Sequence, residues 1–162
     1  MFISSDTNIW IDFFEINHLD HPFRLGHEYY ISERAYKDEM LKSEEMRVEL
    51  IHQGLKLTDI IGEEFDQAVV LQMKYRALTA YDAFALSIAK SRNWILLTGD
   101  RPLRLAAEKE NVECHGVIWV YDELRKTGKL TPLEYQAAIS ALIEAVQTGH
   151  CRLPMDELKK RL

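Results

Sequence analysis

A chain of 162 residues, 47% hydrophobic and 28% charged, suits one globular domain burying roughly 70% of its unfolded surface. The formal charge of −6 argues against indiscriminate binding to nucleic acid, which rests on a basic surface, but it does not exclude an acidic pocket with a local basic rim. No apolar run approaches the ~20 residues of a membrane span and no basic region leads a long apolar core, so a cytoplasmic protein is expected. Cys114 and Cys151 lack CxxC spacing and favour neither a disulfide framework nor a zinc site.

Phe2-Ile3-Ser4-Ser5 reads as a short strand ending at Asp6-Thr7-Asn8, followed by a helix with Ile9, Trp10, Phe13 and Phe14 on one face. His18 to Pro22 is a loop, and His18, His21 and His27 lack the partners and spacing of a known metal motif. Tyr29-Tyr30-Ile31 predicts a second strand. Ser32 then caps a helix to about Leu41, with Tyr36 and Met40 inward and Glu39 beside them. Ser43 caps a further helix whose Met46, Val48, Leu50 and Ile51 form an apolar face up to Gly54. Leu55 to Leu57 is strand-like, and Glu63 to Ala77 is helical through Phe65, Val69 and Met73.

The most informative stretch is Leu78 to Arg104. A helix from Tyr81 or Asp82 to about Arg92 leads into an apolar strand, Trp94 to Leu97, the turn Thr98-Gly99-Asp100 and a helix over 101–110. Val112 to Val120 is expected to hold one or two short strands, and Tyr121 to Lys126 a helix. Thr131-Pro132-Leu133-Glu134 starts another helix with a cap, a proline at N1 and an acid at N3, and Pro154 opens a last short one. Apolar strands alternating with helices imply a parallel sheet covered on both faces, a three-layer α/β/α sandwich with a helical extension over 121–162. That extension is either an added layer on the sheet or a surface for a partner.

Four acids stand out: Asp6 and Asp100 after strands, Asp82 at a helix start and Glu39 on an early helix. Each has a structural explanation. Asp6 and Asp100 can be N-caps, Asp82 can complete a capping box with Thr79, and Glu39 can be a surface acid. In a parallel sheet, however, Asp6 and Asp100 both lie at the carboxyl edge, where ligands bind, and the helix bearing Asp82 begins near it. Carboxylates gathered there repel unless one is protonated or a cation sits among them, and oxygen donors suit Mg²⁺ or Mn²⁺. Such an ion activates water and stabilises charge on a phosphodiester. Lys90, Arg92, Arg101 and Arg104 lie close in sequence and are either a rim for the polyanion or a solvated helix surface.

The segments SSDTNIWIDF around Asp6, AYKDEML with Glu39, LTAYDAFALSIAK with Asp82 and ILLTGDRPLR with Asp100 resemble the PIN-domain family of metal-dependent ribonucleases. Many of these are the toxin half of bacterial toxin–antitoxin pairs. The resemblance covers roughly residues 1 to 120. It implies that Asp6, Asp82 and Asp100 hold the Mg²⁺ or Mn²⁺ directly or through water, that Glu39 is the fourth acid (Glu44 or Glu45 being alternatives), and that Asn8 and Thr98 orient the site. Lys90, Arg101 and Arg104 are the candidate RNA contacts. The implied reaction cuts an RNA phosphodiester to leave a 5′-phosphate and a 3′-hydroxyl.

A haloacid dehalogenase-type phosphatase fits poorly. It wants an acid two residues after Asp6, where Asn8 stands, and a further acid after Gly99-Asp100, where Arg101-Pro102-Leu103-Arg104 follows. A non-catalytic module of the same fold, binding RNA or protein, is the other alternative. No P-loop, Ser/His/Asp set or GxGxxG is present. The expectation is therefore one PIN-like domain over 1–162, with its core at 1–120, acting as a divalent-metal-dependent endoribonuclease. An antitoxin protein and a second copy of the chain are left open as partners.

Overall fold

The computed structural model describes residues 1–39 and 43–162, and within them short strands do alternate with helices. The strands are β1 (Phe2–Ser5), β2 (Glu28–Ser32), β3 (Lys56–Thr58), β4 (Ile95–Leu97) and β5 (Cys114–His115). All pair in parallel, in the order β3-β2-β1-β4-β5. The first strand in sequence is thus the central one in space. From β1 the chain winds outward through β2 and β3, then returns to place β4 on the other side of β1. The winding direction reverses between β1 and β4, the position where open parallel sheets bind ligands.

The helices are α1 (Thr7–Glu15), α2 (Glu33–Asp38), α3 (Glu44–Gln53), α4 (Gly62–Lys74), α5 (Ala80–Arg92), α6 (Arg101–Lys109), α7 (Val117–Lys126), α8 (Pro132–Gln147) and α9 (Met155–Lys159). A 3-10 turn spans His21–Leu25, overlapping the expected loop only at His21 and Pro22. Strand side chains alternate between faces. Ile3, Tyr29, Ile31, Ile95 and Leu97 pack with α1, α3, α7 and α8 on one face, while Leu96 meets α4, α5 and α6 on the other. This is the three-layer α/β/α sandwich. The extension proves to be an added layer: Tyr135, Ala138, Ile139 and Leu142 of α8 and Leu158 of α9 are buried in the same core as Ile3 and Trp10.

Two expectations need correction, and one helix shows a face that the sequence left open. Only Cys114–His115 of the stretch Val112 to Val120 is strand, because Gly116 ends it and Val117 already opens α7. In α4 the apolar residues on which the helix was expected, Phe65, Val69 and Met73, lie on the exposed side, with Met73 72% exposed, whereas Glu64, Ala68 and Leu71 are buried. Helix α5 is buried almost all round, with Ala83, Ala85 and Ser87 on its length, and small residues on both helices allow close approach. Glu64 can join that interface because Arg92 of α5 meets its carboxylate at 2.8 Å. In α3, Met46 and Leu50 are buried but Val48 and Ile51 are exposed. The expected inward position of Met40, like the helix end near Leu41, lies outside the described residues.

Candidate active site

The acids converge where the sheet reverses direction. Asp6 follows β1 directly, and its backbone N–H donates to the Leu97 carbonyl of β4 at 3.2 Å, locking the two strand ends together. Asp6 is the N-cap of α1, its Oδ1 accepting from the Ile9 N–H at 3.0 Å. Its Oδ2 accepts from the Thr98 hydroxyl, and that hydroxyl accepts in turn from the Asp100 N–H at 3.0 Å. Thr98, fully buried, therefore ties the two strand-end acids into one unit. Asp100 caps α6 through the Leu103 N–H at 3.1 Å. Asp82 forms a capping box with Thr79, whose N–H it accepts at 2.9 Å. The structural explanation for these three acids is thus correct as far as it goes. Each spends an oxygen on a helix start and is held in a fixed direction by it.

Capping does not account for the electrostatics. Asp6 is 5% exposed, and among the described residues no ion pair reaches Asp6, Glu39, Asp82 or Asp100. Burial pushes the Asp6 carboxyl up to about 7, the Thr98 and Ile9 hydrogen bonds working against the shift and the Asp82 and Asp100 charges adding to it. Asp82 is raised by burial and by Asp100. Glu39 is raised by burial of its carboxyl, opposed by a hydrogen bond from Thr7 and helped by the Asp82 charge. Much of the Glu39 residue faces solvent, but its carboxyl turns inward to accept from the Thr7 hydroxyl at 2.9 Å. Asp6, Glu39 and Asp82 each feel at least one other acid of the set.

A cation fits that donor set: carboxylate oxygens, one of them deeply buried, oriented by hydrogen bonds and, among the described residues, paired with no lysine or arginine. The acids do not already form a closed cage. No three of them bring ligand atoms within 4.8 Å of one another among the described residues. The residues that do come so close are His18, Asp20 and His21. They follow α1, at the opposite edge of the sheet. There the His18 and His21 rings stack at 3.9 Å with planes 9° apart, His21 is fixed by the Tyr121 hydroxyl at 3.0 Å, and Arg24 pairs with Asp20 at 3.3 Å. Parallel stacked rings cannot both aim in-plane lone pairs at one ion. His27 lies apart, against Trp119.

A family model described as DUF3368: PIN domain matches residues 2–162. The chain belongs to the PIN-domain family. The match runs through the C-terminal extension, well beyond the segment that carries the motifs. No curated protein sequence matches this PIN domain significantly. Among solved structures it is similar to VapBC2 from Rickettsia felis bound to a DNA fragment from their promoter, at 16% identity and a TM-score of 0.50, covering 72% of this chain and 98% of that one. It is also similar to a PilT N-terminus domain protein, SSO1118, from the hyperthermophilic archaeon Sulfolobus solfataricus P2, at 11% identity and a TM-score of 0.48, covering 74% and 90%. At these identities the likeness concerns the fold.

The remaining sequence candidates separate. Asn8 is exposed and makes no side-chain hydrogen bond among the described residues; its neighbour Thr7 makes the contact to Glu39 instead. Glu44 and Glu45 are exposed in the first turn of α3. Lys90 lies about 12 Å along α5 from Asp82 and pairs with Glu110 at 2.8 Å, away from the acids. Arg92 pairs with Glu64. Arg101 and Arg104 stay beside the site, in the first turn of α6.

One acid escaped the sequence reading. Asp12 of α1 lies under the Thr98-Gly99-Asp100 turn, so close that a Cβ on Gly99 would sit 3.4 Å from its Oδ2. Burial pushes its carboxyl up to about 6, with the Cys151 thiol beside it as a hydrogen-bond partner and the Glu15 charge adding to the shift. Its position six residues after Asp6 was the available signal, but Asp12 reads as the polar face of an amphipathic helix until the turn and Cys151 close over it.

Proposed function

We propose that this PIN domain is a divalent-metal-dependent endoribonuclease, with Asp6, Asp82 and Asp100 holding Mg²⁺ or Mn²⁺ directly or through water and Glu39 as the fourth acid. The observation that carries the reading is Asp6, a carboxyl buried at the sheet's reversal point among other acids, with no basic side chain paired to it among the described residues. A bound divalent ion supplies an activated water at neutral pH and offsets charge on the phosphodiester oxygens. The Ile9, Thr79 and Leu103 N–H groups and the Thr98 hydroxyl fix the carboxylates before substrate arrives, so little reorganisation is needed at the reaction. In this reading Glu39, raised from its ordinary value by burial and held by Thr7, would take a proton from the attacking water. The products are a 5′-phosphate and a 3′-hydroxyl.

The finer biological role follows the motif resemblance. In this reading the protein is cytoplasmic and is a toxin, neutralised by a small antitoxin that covers the acid pocket or blocks the approach of RNA. Among the described residues no helix is long and apolar enough to cross a membrane. Pairing with a second copy of the chain is compatible with that role. The alternative, a non-catalytic binding module, draws on one observation: the acids do not preform a tight three-ligand cage.

Calorimetry with Mn²⁺ on the wild type and on Asp6→Asn decides between them, followed by cleavage of single-stranded RNA. Binding lost in the variant, with cleavage that requires Mn²⁺, supports the nuclease. A wild type that neither binds Mn²⁺ nor cleaves RNA in its presence sinks it.

A further inference from the structure

Beside the acids, two adjoining clefts of about 530 and 300 Å³ share the lining residues Gly99, Arg104, Cys114, Arg152 and Pro154, and together make one groove. Gly99 separates Thr98 from Asp100, so the groove begins at the acid site. Cys114 marks the same continuity from below, since its thiol feels both the Arg104 and the Asp6 charge. One wall is α6. The other is the segment between α8 and α9, held in place by the buried Cys151, whose N–H donates to the Ala145 carbonyl at 3.1 Å.

The charge of this groove is not self-compensated. Arg101, Arg104 and Arg152 are exposed and make no ion pair among the described residues. Of the acids along it, Asp122 and Glu157 are engaged by Arg161 at 2.7 and 3.3 Å, leaving Glu108. In a chain with a formal charge of −6, a run of unpaired arginines beside an acid cluster is a local reversal of sign. Guanidinium forks match phosphate oxygens, and a polyanion crossing from basic groove to acid pocket would meet its counter-charges in order. Clefts of this volume admit about one or two nucleotides of a single strand and exclude a duplex.

We propose that this groove holds single-stranded RNA flanking the scissile phosphodiester, with Arg104 and Arg152 on its phosphates, so that the C-terminal extension forms part of the substrate site. The inference rests on the ribonuclease reading for the identity of the polyanion, but it is testable apart from cleavage.

The test is fluorescence anisotropy with a labelled single-stranded RNA decamer on the full chain carrying Asp6→Asn, with Arg152→Ala, Arg104→Ala or Arg152→Lys added. Each alanine variant is expected to bind about tenfold more weakly and to reduce the slope of log affinity against log salt by about 0.7, while Arg152→Lys retains most of the affinity. A circular-dichroism melt checks that these exposed substitutions leave the fold intact. Affinity and salt slope unchanged in both alanine variants overturn the groove, as does equal affinity for a duplex of the same length. Mn²⁺-dependent cleavage that persists with arginine-independent binding leaves the nuclease and removes the groove. Arginine-dependent binding by a chain that cleaves nothing, with Asp6 restored, leaves the groove and removes the nuclease.

Discussion

Glu110 and Asp6 are both carboxylates withdrawn from solvent, and the fold treats them in opposite ways. Glu110 receives Lys90 at 2.8 Å, Lys74 at 2.9 Å and the Tyr75 hydroxyl, which together bring its carboxyl down to about 2. Glu64, buried between α4 and α5, is pushed up by burial but carried below the ordinary range by Arg92 and the Ile61 N–H. Asp6 receives a hydroxyl and an amide and, among the described residues, no cation. Acids that staple helices arrive with their counter-charge from the same chain; those at the sheet's reversal point receive none from the described residues. The contrast separates architecture from chemistry more cleanly than burial does.

The sharpest way to break that contrast is Asp6→Asn. It should lower Mn²⁺-dependent RNA cleavage by at least about a hundredfold while leaving the melting temperature in EDTA at pH 8 unchanged or higher, because a buried charge has been removed. A variant that cleaves normally takes Asp6 out of the site. Arg92→Ala should do the reverse, costing roughly 2 kcal/mol in urea unfolding, between the values for exposed and fully buried pairs, with Mn²⁺ binding unaltered. Loss of Mn²⁺ binding there would mean that the α4–α5 staple is coupled to the site.

The two kinds of acid also predict opposite responses to pH in EDTA. Asp6 has a folded value of about 7 against 3.8 unfolded, so the folded state binds more protons between them, and its contribution is lost as pH rises from about 4 to 7. Glu110 is lowered from 4.5 to about 2, so its contribution is present above about 4.5 and lost as pH falls towards 2. Melting curves across pH should therefore lose the decline between pH 4 and 7 in Asp6→Asn, and flatten below pH 4.5 in Glu110→Gln. Identical profiles for both variants would erase the distinction. The smallest effect is expected from Met73→Asp, within about 0.5 kcal/mol of wild type, because that side chain reaches solvent. A loss of several kcal/mol would show that the face of α4 had been assigned wrongly.

Much of this was legible in the chain because it is local. Asp6, Ser32, Ser43, Thr79, Asp100 and Thr131 announce helix starts within three residues of the groups they cap, and each does so in the structure. The alternation of strands and helices implied the layers. What stayed hidden depends on partners far along the chain. The large apolar residues of α4 mark a helix, but its inward face was set by α5, which presents a surface of alanines, and by Arg92, which made Glu64 an inward residue. Lys90 looked near Asp82 in sequence, yet a helix carries it to the far end of the layer. Asp12 gained meaning only under Gly99 and Cys151, and Arg152 only opposite α6.

The central place of β1 has a consequence for the order in which the molecule comes into being. The strand emerges first, but its neighbour β4 follows some ninety residues later, and the Asp6–Thr98 contact spans 92 positions. Pairing across such separations is slow to form and leaves open edges meanwhile. A chain leaving the ribosome therefore carries its first acid long before the turn that completes the cluster, and the segment bearing Arg152 comes later still. Until then the acids cannot form one cluster, because Asp100 and the Thr98 that ties it to Asp6 have yet to be made.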